Sequence, residues 1–357
     1  RRKLSNISSM KVALITDTHF GARGDNVVFD NFFKKFYDNV FFPELEKRNI
    51  TDIIHLGDTF DRRKYINFNS LHSCRKYFFD KIQGKYKVKM LIGNHDTFYK
   101  NTNETNSPEL LLKEYDSITT YSEPIEVMLD GKKICFLPWI CPDNWGEANR
   151  LLDESDAEAA FGHLEIAGCT MFKGQTNYEG LDPKRFERFK LACSGHYHHR
   201  HSIGNITYLG NPYEMFWNDF EDQRGFNILD TDDWSLEFIP NPYTMFKKIY
   251  YNEDKPIPKA LDYKDKIVKV IVVNRKDVPK YETFMDNLYA ANPIEVKIIE
   301  DFSEFEADVL DDDTLDLSDT LTLVSQYVDN LDTEVDKKRL NNLMKSLYIE
   351  AQDYDTI

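Results

Sequence analysis

Three short apolar runs each end in a cluster of metal- or proton-binding side chains, with a helical stretch between each run and the next. Residues 11–16 (Lys-Val-Ala-Leu-Ile-Thr) end at Asp17-Thr-His19. Residues 52–56 end at Gly57-Asp58-Thr59-Phe60-Asp61, and residues 87–92 at Gly93-Asn94-His95-Asp96. Runs of this length with β-branched content read as buried strands. The intervals hold helices at roughly 28–48, with apolar Phe29, Phe32, Phe33, Phe36 and Val40, and near 69–83. Strand, loop and helix repeating in that order require βαβ units and a largely parallel sheet. Ligands of such sheets gather at the carboxyl ends of the strands, where all three clusters sit.

Further along, the chain is richer in β-structure. Asp130-Gly131 between two apolar runs predicts a hairpin, and strands are expected at 157–161, 189–193, 205–209, 225–230 and 235–239. Pro240-Asn241-Pro242 reads as a domain boundary. Beyond it, 267–273, a helix near 279–290 and a strand near 294–299 predict a small α/β unit. Leu340, Leu343, Met344, Leu347 and Tyr348 follow the i, i+3, i+4, i+7, i+8 spacing of an amphipathic helix. A chain of 357 residues has room for one large domain and smaller ones. Residues 1–9 read as a remnant ahead of a natural start at Met10.

The net charge of −16 does not exclude a nucleic-acid partner, because of where it lies. Glu300 to Asp336 holds fourteen acidic residues and no Lys or Arg, and removing it leaves about −2. That block reads as a solvated linker or interaction segment. The five cysteines are scattered without a Cys-x-x-Cys pair, which argues against a disulfide framework or zinc ribbon and for a reducing cytoplasm. No apolar run has the length of a membrane span, and the N-terminus lacks the apolar stretch of a signal peptide.

Two later segments join the three clusters: Gly162-His163 and Gly195-His196-Tyr-His198. Singly, each has an ordinary explanation as a turn, a cap or a satisfied structural histidine. Together they supply two Asp, one Asn and four His as ligands, with His95 left over. Such a mixed oxygen and imidazole set suits two adjacent borderline cations, and Asp58 is the natural carboxylate to bridge them. A pair of this kind activates bound water and neutralises phosphoryl oxygens.

At these segments the chain resembles the calcineurin-like metallophosphoesterases. Gly57-Asp58-Thr-Phe60-Asp61, Tyr208-Leu-Gly210-Asn-Pro212 and Arg224-Gly225-Phe226 resemble the SbcD-like recombination nucleases within them. Leu137-Pro138-Trp139 and Phe238-Ile-Pro240-Asn241 resemble the nuclease subunits of T-even-type bacteriophage recombination complexes. The resemblance covers residues 10–245 with specific motifs and reaches more loosely to about 352. It implies an α/β fold: a β-sandwich flanked by helices (10–245, the nuclease domain), a small α/β capping domain that guides DNA (246–300), an acidic linker (301–319) and a helical ATPase-binding segment (320–357). It also implies that Asp17, His19, Asp58 and His198 hold one metal, that Asp58, Asn94, His163 and His196 hold the other, that His95 is not a ligand but stabilises the phosphate and protonates the leaving oxygen as general acid, and that Asp96 orients His95. The implied activity is 3′-to-5′ exonuclease action on double-stranded DNA ends with some endonuclease action, using Mn2+ (or Mg2+), in DNA replication, recombination and repair. The implied partners are an SMC-like coiled-coil ATPase, bound through the Leu340–Tyr348 helix, and a second copy of the chain, in the cytoplasm of a phage-infected host cell.

Basic side chains beside the motifs, namely Arg23, Arg62, Arg63, Lys64, Lys100, Lys173 and Arg200, are candidates for phosphate contact. Arg62-Arg63-Lys64 stands where cellular members carry a proline. His199 and His201 read as surface or substrate-contacting residues, His55 as structural, and His72 carries no signal. The metal core does not choose its substrate. A small-molecule phosphodiesterase or phosphatase, and a DNA-end-binding scaffold with residual activity, therefore stay open.

Overall fold

The computed structural model describes residues 9–172, 174–257, 263–300 and 337. β1 (Lys11–Ile15) shows why its apolar run is unbroken. Val12 and Leu14 enter one core with Ile54, Leu56, Phe136 and Phe161, while Ala13 and Ile15 enter another with Phe33, Phe36 and Phe78. A strand covered on both faces needs no polar alternation.

Parallel to β1 lie β2 (Asp52–His55), β3 (Lys87–Leu91) and β4 (Ile118–Tyr121), in that order. There follow β5 (Ile125–Leu129), β6 (Lys132–Leu137), β7 (Ala159–His163), the small pair β8 (Thr170–Phe172) and β9 (Gln175–Thr176), β10 (Leu191–Gly195), β11 (His201–Ile203), β12 (Ile206–Tyr208), β13 (Gly225–Asp230) and β14 (Leu236–Pro240). One six-stranded sheet has the order β14-β13-β1-β2-β3-β4, the other β11-β12-β10-β7-β6-β5. The core containing Val12, Ile54, Phe136 and Phe161 draws on both sheets, which makes the body a β-sandwich. The β5–β6 hairpin turns on Asp130 and Gly131, both at positive φ as its turn requires.

Helices cover the outer faces. Val27–Phe36, capped by the Asn26 side chain, passes through a π turn at Tyr37–Phe41 into Phe42–Arg48. Phe68–Cys74, capped by Asn67, continues likewise through Arg75–Phe79. Their facing aromatics fill the core of Ala13 and Ile15, and Phe33 stacks on Tyr213 with ring centroids 3.9 Å apart. Trp145–Glu154 buries Leu151 and Leu152 in a third core with Ala160 and Ala192.

A third sheet is all parallel: β15 (Phe246–Asn252), β16 (Ile267–Asn274) and β17 (Glu295–Ile299). Helix Val278–Ala290 covers it, with a core of its own around Tyr251, Val270, Phe284 and Leu288. The small α/β unit read from 267 onward thus gains β15, which sequence patterning did not reveal.

Several expectations shift. The strands expected at 157–161 and 189–193 run two residues later, so Gly162-His163 and Gly195 are strand residues rather than loop residues. β4 and the helices Ser107–Leu111 and Trp145–Glu154 had no place in the sequence reading. At Pro240-Asn241-Pro242 the chain stays on the body: the amide of Asn241 donates to Arg224 O (2.7 Å) and its side chain to Pro212 O (3.1 Å). By backbone proximity, the described residues up to Glu300 belong to one unit. Residues 1–8, Lys173, and the acidic linker and Leu340–Tyr348 helix read from the sequence lie outside the described residues. All five cysteines are buried and free. Among the described residues no helix is long and apolar enough to cross a membrane.

Candidate metal centre

The segments after β1, β2 and β3, together with the ends of β7 and β10, meet at one edge of the sandwich. Backbone bonds lock the first two loops together: Asp17 N to Gly57 O (3.0 Å), His19 N to Asp58 O (3.1 Å) and Phe20 N to Thr59 O (2.9 Å). Asp17, His19, Asp58 and His196 all take positive φ, between 40° and 86°. L-residues adopt that region only where the surroundings impose it, and such strain concentrates at functional sites. Glycine is needed next to them. A Cβ on Gly93 would lie 2.2 Å from Asp58 Oδ1, and one on Gly195 would lie 2.1 Å from Thr16 Oγ1.

Two groups of ligand-type atoms form there, Asp17 with His19 and His198, and Asp58 with His163 and His196; within each group the atoms lie within 4.8 Å of one another. Asn94 completes the second group, its Oδ1 2.9 Å from His163 Nε2 and 3.0 Å from His196 Nδ1. Asp58 touches both groups: its Oδ2 is 3.6 Å from His19 Nε2 and 3.2 Å from His163 Nε2. Its other oxygen accepts from the amide of His95 (2.8 Å).

The donors fit divalent cations. His19 Nε2 and His198 Nε2 face each other at 3.2 Å, and two neutral imidazoles so placed share at most one proton, whereas a cation satisfies both. The field also favours positive charge. Burial works against protonating His163 and His19, yet the pKa of each is pulled up to about 9, that of His163 chiefly by Asp58 and that of His19 by Asp61, Asp58 and Asp17. Burial would raise Asp58 as well, but His163 and His95 hold it well below the usual carboxylate range. Burial raises Asp17.

The outward nitrogens of the rings are held by neighbours. His163 Nδ1 donates to Leu56 O (2.8 Å), which leaves Nε2 for the site. His196 turns the other way, with Nε2 3.0 Å from Glu165 Oε1 and Nδ1 toward Asn94. Trp139 lies beside this ring, centroids 5.3 Å apart. The carbonyl of His198 accepts from Arg224, which also holds Asp219 (2.9 Å), Asp222 (2.8 Å) and Asn211. Tyr213 OH donates to Thr18 O (2.5 Å). The Asn-Pro and Arg-Gly-Phe segments thus brace the loop that carries His198. Glu165 and Tyr213 were missed as supports because nothing local marks them, and Arg224 stood in the Arg-Gly-Phe segment without this role.

The role read for Asp96 is corrected. Its carboxylate accepts from the amides of Thr59 (2.9 Å), Phe60 (3.2 Å) and Gly93 (2.9 Å), tying the second loop to the third. Burial and the nearby Asp58 charge push it up to about 7 against the pull of those amides. His95 is instead held at Nδ1 by the carbonyl of Asp61 (2.7 Å). The i+1 neighbour points into the loop's own turn, whereas Asp61 arrives from the adjacent strand end. His55 is structural: its Nδ1 accepts from Gly57 N (3.2 Å) and its Nε2 meets Thr18 Oγ1 (3.0 Å). His199 pairs with Asp222 (2.7 Å), and His201 Nε2 accepts from Thr170 N (3.0 Å).

Three of the basic candidates are engaged. Arg62 pairs with Asp25 (2.8 Å), Arg23 lies against the rings of Phe29 and Phe216, and Arg200 is half-buried on Phe238, 4.2 Å from its ring. Arg63 is half-buried, and Lys64 and Lys100 are exposed.

Fold and site together define a phosphoesterase with two candidate cation sites, and the sequence comparison agrees on the family. A profile of the family described as calcineurin-like phosphoesterase matches residues 10–200, and the chain belongs to that family. Exonuclease subunit 1 of Enterobacteria phage T4 is 30% identical to it over 351 residues, spanning 96% of this chain and 99% of the phage protein. Among solved structures, an archaeal phosphodiesterase is 12% identical (65% of this chain, 100% of that one, TM-score 0.33). A protein of unknown function from Aquifex aeolicus is 19% identical (47% and 82%, TM-score 0.28). Scores this low say nothing about the fold.

Proposed function

We propose that this chain is a dimetal-dependent DNA nuclease. It acts as a 3′-to-5′ exonuclease on double-stranded ends with some endonuclease action, as the nuclease subunit of a complex with an SMC-like ATPase in DNA end processing, replication, recombination and repair. The observation that carries the reading is the position of Asp58, one carboxylate oxygen of which faces an imidazole of each group. The near full-length likeness to a phage exonuclease subunit supports DNA as the substrate.

Asp17, His19, Asp58 and His198 would hold one cation, and Asp58, Asn94, His163 and His196 the other. The mixed imidazole and carboxylate set suits Mn2+ better than Mg2+. Bound there, the pair supplies water activation and neutralisation of the phosphoryl oxygens. The carbonyl of Asp61 can only accept, so Nδ1 of His95 keeps its proton. Nε2 is then the atom that gives a proton to the leaving oxygen, as a general acid must. Glu165 and Leu56 O fix which nitrogen of His196 and His163 faces the cations. A second copy of the chain would find exposed apolar side chains at Tyr65, Phe68 and Leu110 to pack on.

The test compares linear duplex DNA with a chromogenic phosphodiester, in Mn2+ and in Mg2+, with and without the ATPase. Mn2+-dependent loss of nucleotides from duplex ends is the expected result. Rapid hydrolysis of mononucleotide-type esters with intact DNA would move the chain to the small-molecule phosphodiesterases.

A further inference from the structure

The arginines beside the metal loops are largely committed to internal partners, but the structure assembles another basic surface that no stretch of sequence reveals. A cleft of about 940 Å3 opens between the outer face of helix Val27–Phe36, the 242–247 segment and the leading edge of the third sheet. Lys35, Lys247, Lys264 and Lys266 line it, with Asp265 the one carboxylate among the lining residues. These lysines come from the helix, from β15 and from the turn before β16, so their convergence is purely tertiary. Lys266 is tied to Thr244 O. Among the described residues no ion pair engages Lys35, Lys247 or Lys264; the ammonium of Lys35 lies 4.2 Å from the ring of Tyr243, which also lines the cleft. Lys35, Lys247 and Lys264 thus give the cleft three cations outside any ion pair against its single carboxylate, Asp265, with Tyr243 beside Lys35.

We propose that this cleft binds a single strand of nucleic acid, with phosphates on Lys35, Lys247 and Lys264 and a base against Tyr243. Backbone cations combined with a stacking ring are the recurring means of holding a single strand without sequence preference. A volume of about 940 Å3 admits a few nucleotides of one strand. The assignment builds on the nuclease reading: a duplex end digested from one strand leaves the other single-stranded, and the cleft gives that strand a place away from the cations.

The experiment uses the full chain in EDTA, so that nothing is cleaved, with a short fluorescein-labelled oligothymidylate followed by anisotropy over a range of salt. The Lys35→Gln/Lys247→Gln/Lys264→Gln variant is expected to bind on the order of tenfold or more weakly. Its log K against log salt slope should be shallower by about 0.7 for each phosphate that a lysine no longer neutralises. Tyr243→Ala is expected to weaken binding without changing the slope. Unchanged affinity and slope in the triple variant would overturn the proposal, as would a loss confined to blunt duplex DNA with the oligothymidylate unaffected. The three lysines touch no candidate ligand, so hydrolysis of the chromogenic ester with Mn2+ should match the parent chain. That second assay tests the phosphodiesterase reading alone, so failure of one reading is separable from failure of the other.

Discussion

His95 and Glu165 show how much of this site is decided by which nitrogen of a ring is left free. His95 is joined to the centre by its amide, on Asp58, and to the second loop by Nδ1, on Asp61 O. Neither bond makes it a ligand. His95→Ala is therefore expected to keep both cations by anomalous scattering while phosphodiesterase activity falls roughly 10²–10⁴-fold, the range for removal of a general acid. Loss of a cation in that variant would show that the role is misassigned. Glu165 holds Nε2 of His196 so that Nδ1 faces Asn94. Removal of such a supporting carboxylate weakens metal affinity about 10–100-fold. Calorimetric titration of Glu165→Ala with Mn2+ should show one weakened and one unchanged site, and equal weakening of both would contradict the assignment of His196 to a single ion.

Between elements, the joint of the sandwich with the third sheet has its own chemistry. Glu214, 2% exposed, accepts from the amides of Met245 and Phe246 at the start of β15 (2.5 and 2.9 Å). Trp217 packs on Phe246, and the buried Lys269 lies 4.2 Å from its ring. Burial pushes Glu214 up to about 7 even though both amides favour the carboxylate. The folded chain thus holds this proton more tightly than the unfolded one. The stabilisation is fully present below the ordinary value of 4.5 and is lost as pH rises through about 7. Glu214→Gln keeps an acceptor oxygen and removes the titration. In thermal melts, the Tm of the variant relative to the parent should rise between pH 4.5 and 7 and level off above. A difference that does not change with pH would mean that the carboxyl titrates normally.

For the whole molecule, the loops that carry the ligands belong to both sheets of the sandwich, so the cations are expected to bind the folded chain and not the unfolded one. Saturation with Mn2+ at a hundred times its Kd should then add about 2.7 kcal/mol of stability per ion. EDTA should lower the Tm accordingly, and a melting curve indifferent to chelator would argue against the centre. Deletion of residues 320–357, which contain the amphipathic spacing of Leu340–Tyr348, should abolish association with the proposed ATPase partner in sedimentation and leave that Mn2+-dependent Tm shift unchanged. A complex that survives the deletion would place the partner's contact elsewhere.

The identity of the side chains at the site was legible in sequence because β-strands announce themselves by short apolar runs and ligands cluster where such runs stop. The residues gathered around Asp58 are those whose types and order suggested two cations. Sequence also carried the parallel sheet, the hairpin at Asp130-Gly131 and the two long helices, all of them consequences of local periodicity and turn chemistry. Tertiary structure alone decided the rest. That the carbonyl of Asp61 rather than the carboxylate of Asp96 holds His95, that Leu56 O orients His163 across more than a hundred residues, that Arg62 and Arg200 spend themselves internally, and that lysines from 35, 247 and 264 meet in one cleft all depend on strand register and packing between distant segments. Those relations are set by which faces the apolar cores bury together, and no short window of residues contains them.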